Sequence, residues 1–191
     1  MDRSRTIARI CQALAADDSA TAARIARSDY PFEPIIPEKR AYTPYQLTRL
    51  FIRDGFVDRY SGDRLVFPGT LGILTQRLPD EFPKHKNWKM DATHMAYWEL
   101  YPTVDHLVPV ARGGTNDEDN LVTTSMIRNS AKSNWTLAEL GWKLVSPGDI
   151  RRWDGMLSWF LGYVENDASV LQNKYIKPWH GAAVRACSAG E

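Results

Sequence analysis

Cysteine is scarce in this 191-residue chain: only Cys11 and Cys187, near opposite ends. Two cysteines cannot form a four-thiolate zinc site, nor a disulfide framework, and such usage fits a reducing cytoplasm. Long apolar runs are missing too. Nowhere do ~18 successive apolar residues occur, so no membrane span is expected. The basic start, Met1-Asp-Arg-Ser-Arg, leads into no apolar stretch of the secretory kind. A surplus of charge is also absent. Twenty-four Lys and Arg stand against 23 Asp and Glu, a formal net charge of +1, which excludes a histone-like polycation or an acidic tail. It does not exclude nucleic acid, because binding needs a local basic face rather than a global excess. No internal repeat or low-complexity tract is present. What remains is an ordinary globular composition, 43% hydrophobic, long enough to bury a core without staples.

Three segments are expected. Residues 1–40 read as two short helices followed by a linker carrying Pro31, Pro34 and Pro37. Residues 41–146 form the central domain. Thr43-Pro44 opens a helix through Leu47, Leu50 and Phe51 to Gly55, with Thr43 as N-cap. A tight turn around Ser61-Gly62-Asp63 suggests a hairpin. Beyond it lie an apolar patch and an aromatic cluster of Trp88, Tyr97, Trp98 and Tyr101, where Asp91 is read as a helix cap. Then come a strand from Val104 to Val110, a Gly113-Gly114 loop, a strand from Leu121 to Thr124, and a helix from Met126 to Asn134. Thr136 and Glu139 make a capping-box pattern for one more short helix. Residues 147–191 form a C-terminal helical extension: an apolar stripe at helical spacing around Arg151, Arg152 and Trp153, then a tail fraying from Gly181.

Chemistry gathers at Asp105-His106, Asn120, Asn129 and Lys132. Phosphodiester hydrolysis needs a base near neutral pH, a counter-charge for the phosphate and help for the leaving alkoxide. An imidazole suits the first task; a hard divalent ion with oxygen ligands suits the others. Strand neighbours point to opposite faces, so Asp105 and His106 can share a site only if the strand ends or twists there. Asn129 offers an amide oxygen to a metal. Asn120 can bond across the loop and hold His106, and Lys132, three residues after Asn129, can meet a phosphate. Arg112, Arg151 and Arg152 are further candidates for gripping nucleic acid, with salt-sensitive, non-specific affinity. His94 is read as structural, since its spacing from Glu99 makes no zinc-protease pattern.

The segments Val104-Asp-His-Leu-Val-Pro109, Gly113-Gly114, Asn116, Asp119-Asn-Leu121 and Asn129-Ser-Ala-Lys132 resemble the HNH endonuclease family, the ββα-metal nucleases, over roughly residues 103–134. The resemblance implies an α+β fold: a short antiparallel hairpin plus helix, embedded in a mostly helical domain. It implies His106 as general base, Asn120 as its orienter, and Asp105 and Asn129 as ligands of one divalent ion, Mg²⁺ foremost, with Mn²⁺ or another divalent ion as substitute. DNA is the implied substrate, with RNA left open, and the products are a 5′-phosphate and a 3′-hydroxyl. Many relatives frame the motif with two Cys-x-x-Cys pairs. Here Asp58, Ser61, Ser125 and Arg128 stand at those positions, so no structural zinc is expected. An Asp58–Arg128 ion pair is the expected replacement. The alternatives are a non-catalytic nucleic-acid-binding module on the same scaffold, or the nuclease subunit of a restriction or toxin system.

Overall fold

The computed structural model describes residues 2–36 and 39–188, and the chain divides into two compact units, residues 1–36 and 37–191. The first holds α1 (Arg3–Ala15) and α2 (Ser19–Asp29), packed on each other. Each begins where an aspartate accepts a backbone N–H of the first turn: Asp2 from Ser4, Asp18 from Thr21. The two helices expected from the sequence are therefore present.

The second unit is α+β. Its elements are α3 (Pro44–Arg53), α4 (Pro68–Arg77), α5 (Ala96–Glu99), β1 (Pro102–His106), β2 (Leu121–Ser125), α6 (Met126–Lys132), α7 (Leu137–Leu140), α8 (Leu157–Asn166) and α9 (Ile176–Ser188). β1 and β2 pair antiparallel, from Pro102 opposite Ser125 to His106 opposite Leu121. α6 and α3 each pack on both strands, while α9 lies against α3 and α4. The main core gathers Phe51, Phe56, Phe67, Phe160, Ile176 and Trp179, and a second cluster centres on Leu71 and Tyr97.

Local signals survive well. The capping boxes at Thr43–Gln46 and Thr136–Glu139 both form. Gly55, at φ +64, ends α3 where a Cβ would strike the Gly148 carbonyl. Several boundaries differ. β1 stops at His106 instead of running to Val110, and Val110–Arg112 is a 3₁₀ turn. The expected hairpin around Gly62 is a single bridge, Val57 to Arg64. Asp91 sits in a 3₁₀ turn rather than capping a helix. The tail does not fray at Gly181: α9 continues to Ser188 because Ala182 and Ala183 are buried. The C-terminal helices belong to the same compact unit as the central elements. No described helix is long and apolar enough to cross a membrane.

Candidate functional site

His106 is the last residue of β1, and its side chain is 2% exposed. Its Nε2 lies 2.9 Å from Asn116 Oδ1 and 3.2 Å from the Tyr42 hydroxyl. The same Asn116 oxygen accepts the Tyr42 hydroxyl at 2.9 Å, while Asn116 Nδ2 donates to the Lys39 carbonyl. That last bond fixes which end of the amide is oxygen. An amide oxygen only accepts, so Nε2 carries a proton, and the neutral ring keeps its lone pair on Nδ1. The tautomer is thus set by two residues, neither of which was expected to orient the imidazole.

Asn120, the expected orienter, does not touch the imidazole. Its Oδ1 accepts Val108 N–H at 2.8 Å, and its Nδ2 donates to the Val108 and Thr115 carbonyls. The side chain closes the loop between the strands into a fixed arch. Gly114 belongs to the same arch, since a Cβ there would fall 1.8 Å from the Val108 carbonyl oxygen. Asn120 therefore reaches His106 only through the loop that it ties, including the Leu107 N–H that bonds the Asn120 carbonyl.

Asp105 meets a different set of partners from His106, the residue at which β1 ends. Its Oδ2 accepts the Tyr60 hydroxyl at 2.7 Å and pairs with Lys132 Nζ at 3.0 Å. Burial, followed by the neighbouring Asp105 charge, pushes the Tyr60 phenol far above its ordinary range. Lys132 is wholly buried, with Nζ also donating to the His106 carbonyl at 2.7 Å. The phosphate contact expected of Lys132 is therefore corrected. Its ammonium is an internal strut that joins α6 to the end of β1. Asn129 lies beside it on α6, donating Nδ2 to the Val104 carbonyl at 3.1 Å. Its Oδ1 accepts no hydrogen bond from the described residues.

The donor set can be tested against a hard cation. Asp105 Oδ1 and Asn129 Oδ1 are two oxygen donors, one from the strand and one from the helix packed on it. Two protein oxygens, completed by water and phosphate, match the usual needs of Mg²⁺. No cluster of three or more His, Cys, Asp or Glu suited to a metal occurs among the described residues, so a self-sufficient protein cage is not what this site offers. The Lys132 ammonium on Oδ2 already supplies one positive charge there.

The three arginines expected to grip nucleic acid have partners. Arg112 donates to both Glu139 carboxylate oxygens at 2.7 Å and lies over the Trp135 ring. That pairing, with the Thr136 cap, holds Glu139 down at about 2. Arg151 pairs with Asp149 at 3.1 Å and Arg152 approaches it at 3.9 Å. Both sit in a turn rather than on the expected helix, which begins only at Leu157. A cleft of about 290 Å³ opens beside the holders of His106, lined by Tyr42, Asn116, Leu121, Glu118, Arg49 and Arg53 among others. Arg53 spends its donors on Asp54 and on the Glu118 and Leu121 carbonyls. Arg49 is exposed.

The expected Asp58–Arg128 ion pair does not form. Asp58, 1% exposed, accepts Ser125 N–H at 2.8 Å, Tyr60 N–H at 2.9 Å and the Thr124 hydroxyl at 3.1 Å. Arg128 instead lies over Trp142. A carboxylate with three buried donors has its acceptor needs met without a cation. Compared with known protein families, with characterised proteins and with solved structures, the chain matches none.

Proposed function

We propose that this chain is a metal-dependent endonuclease of the HNH type that hydrolyses phosphodiester bonds in DNA. One observation carries the reading. An imidazole at the end of a strand has its tautomer set by Asn116, beside an antiparallel partner strand and a helix that brings Asn129 back onto the same strand. A fixed tautomer is what a general base needs, because the lone pair must face the proton it takes. In this reading His106 Nδ1 accepts a proton from water. Asp105 Oδ1 and Asn129 Oδ1 would hold a divalent ion, which would supply countercharge to the phosphate and the leaving oxygen. Lys132 neutralises the second Asp105 oxygen from inside. Arg49, exposed in the adjoining cleft, takes the role of phosphate contact that buried Lys132 does not fill. Hydrolysis requires the covered ring to be uncovered as substrate enters past Tyr42.

Two observations favour a second reading, a non-catalytic nucleic-acid-binding module: the nearly complete burial of His106, and the ammonium already paired with Asp105. Plasmid conversion separates the readings. Nicking or cleavage with Mg²⁺ or Mn²⁺ that stops in EDTA, and is lost in His106→Ala with the melting transition preserved, supports the enzyme. Plasmid binding without conversion at any metal supports the module. An unchanged cleavage rate in His106→Ala removes the catalytic assignment.

A further inference from the structure

The segment between α4 and α5 folds back on itself: His94 N–H bonds the Pro83 carbonyl, His85 N–H the Thr93 hydroxyl, and Trp88 N–H the His85 carbonyl. This carries Lys84 into a cage of aromatic rings drawn from distant parts of the chain. Its Nζ lies 3.7 Å from the Tyr175 ring centroid, 4.8 Å from Trp88, 4.9 Å from Tyr97 and 5.8 Å from Tyr101. Each distance is within the range of a cation–π contact. Among the described residues no carboxylate pairs with Nζ and no acceptor takes a hydrogen bond from it. Desolvation lowers its amine to about 8, while the ring faces favour the charged form. Lys84 is only partly exposed, and nothing anionic in the described fold answers its charge.

The cage opens on a cavity of about 460 Å³, a size that suits a small organic ligand. Lys84 and Lys86 both line it, together with hydrogen-bonding side chains of Thr75 and Asn173, and no acidic residue does. Such a lining selects an anion. The volume exceeds the needs of a bare inorganic anion, and half-buried Trp88, already edge-on to Tyr97 and Tyr101, gives the lining an aromatic side. We propose that this cavity binds a nucleotide, its phosphate held by Lys84 and Lys86 and its base stacked against Trp88. The nucleotide is either free or the 5′-phosphorylated end of a strand. The site shares no lining residue with the His106 cluster and does not depend on the nuclease reading.

Calorimetric titration of the full chain tests this with adenosine 5′-monophosphate, adenosine and inorganic phosphate, in EDTA so that cleavage plays no part. The monophosphate should bind once per chain, at least tenfold more tightly than adenosine or phosphate. Lys84→Met, which keeps the length and removes the charge, should weaken it at least tenfold and leave adenosine unchanged. Lys86→Ala, an exposed position, serves as a second variant and should weaken it severalfold. A 5′-phosphorylated oligonucleotide that competes as well as the monophosphate, where its 5′-hydroxyl form does not, assigns a strand end. Competition by the monophosphate alone assigns a free nucleotide. The proposal is overturned if the monophosphate binds no better than adenosine, or if folded Lys84→Met and Lys86→Ala both bind it like the wild type.

Discussion

At the scale of single residues, the cluster is governed by two side chains that decide where protons and charges sit. Asn116 decides the His106 tautomer, and its role can be separated from mere support. Asn116→Asp keeps an acceptor for Nε2–H and adds negative charge, so it should retain most cleavage while moving the acidic limb of the pH–rate profile upward. Asn116→Leu removes the acceptor and should lower the rate by about 10- to 100-fold with little change in KM. Equal loss in both variants, with an unmoved profile, would reduce Asn116 to scaffolding. Lys132 and Asp105 form the second pair. Asp105→Ala strands a fully buried ammonium and should cost about 3–5 kcal/mol in denaturant unfolding. Asp105→Ala with Lys132→Met removes both charges and should recover at least half of that loss. Additive losses would show that the two do not act as a pair. Asp105, His106 and Asn129 could be proposed from the sequence because they lie on one short run of strand, loop, strand and helix. Tyr42 and Tyr60 were not, since they join from 64 and 45 residues away with no local signal. The burial of Lys132 was equally hidden, because a lysine near a helix end is ordinarily solvated.

At the scale of elements, what was legible was local. Thr43 and Thr136 announced their helices because a capping box needs only four consecutive residues. An antiparallel pair was expected here, and β1 and β2 form one, but the end of β1 was not legible. Lys132 on the His106 carbonyl and Asn120 on Val108 finish β1 at His106, and both bonds come from elsewhere in the chain. The same limit explains why the expected Asp58–Arg128 pair does not form. Charge complementarity suggested Asp58 with Arg128, yet the backbone N–H groups of Ser125 and Tyr60 claim that carboxylate. Buried Asp54 works alongside it, accepting Thr123 N–H at 2.7 Å and pairing with Arg59. Two carboxylates thus tie β2 and the start of α6 to the turn after α3. Asp58→Ala leaves three buried donors unsatisfied and should destabilise the second unit by about 3 kcal/mol or more. A loss below about 1 kcal/mol would mean that relaxation or water satisfies those donors. Asp58→Asn offers one oxygen and one competing donor, so it should fall between wild type and alanine.

At the scale of the whole molecule, the near balance of 24 cations against 23 anions takes on structural content. Some of that charge is spent on pairs within the fold: Arg53 and Arg59 on Asp54, Lys132 on Asp105, Arg77 on Asp167, and Arg112 on Glu139. The composition showed the balance but not the pairing, which depends on contacts across the fold. The sequence also suggested a separate C-terminal extension. Hydrophobic burial draws it into the second unit, because Trp179, Ala183 and Phe160 complete the core begun by Phe51 and Phe56. Both buried clusters lie between residues 47 and 183, and among the described residues none from 2–36 belongs to either. A chain of residues 39–188 should therefore fold alone, with one cooperative thermal transition and a Tm within about 4 °C of the full chain, the shift that roughly 1 kcal/mol produces in a domain of this size. Cleavage by the shortened chain would place the catalytic machinery in the second unit; a broad, non-cooperative melt would show that its core is incomplete without the N-terminal helices. A cooperative melt without cleavage, set beside an active full chain, would assign residues 1–36 to substrate engagement rather than stability. The basic side chains Arg3, Arg5 and Arg9 of α1 would then be the first to replace.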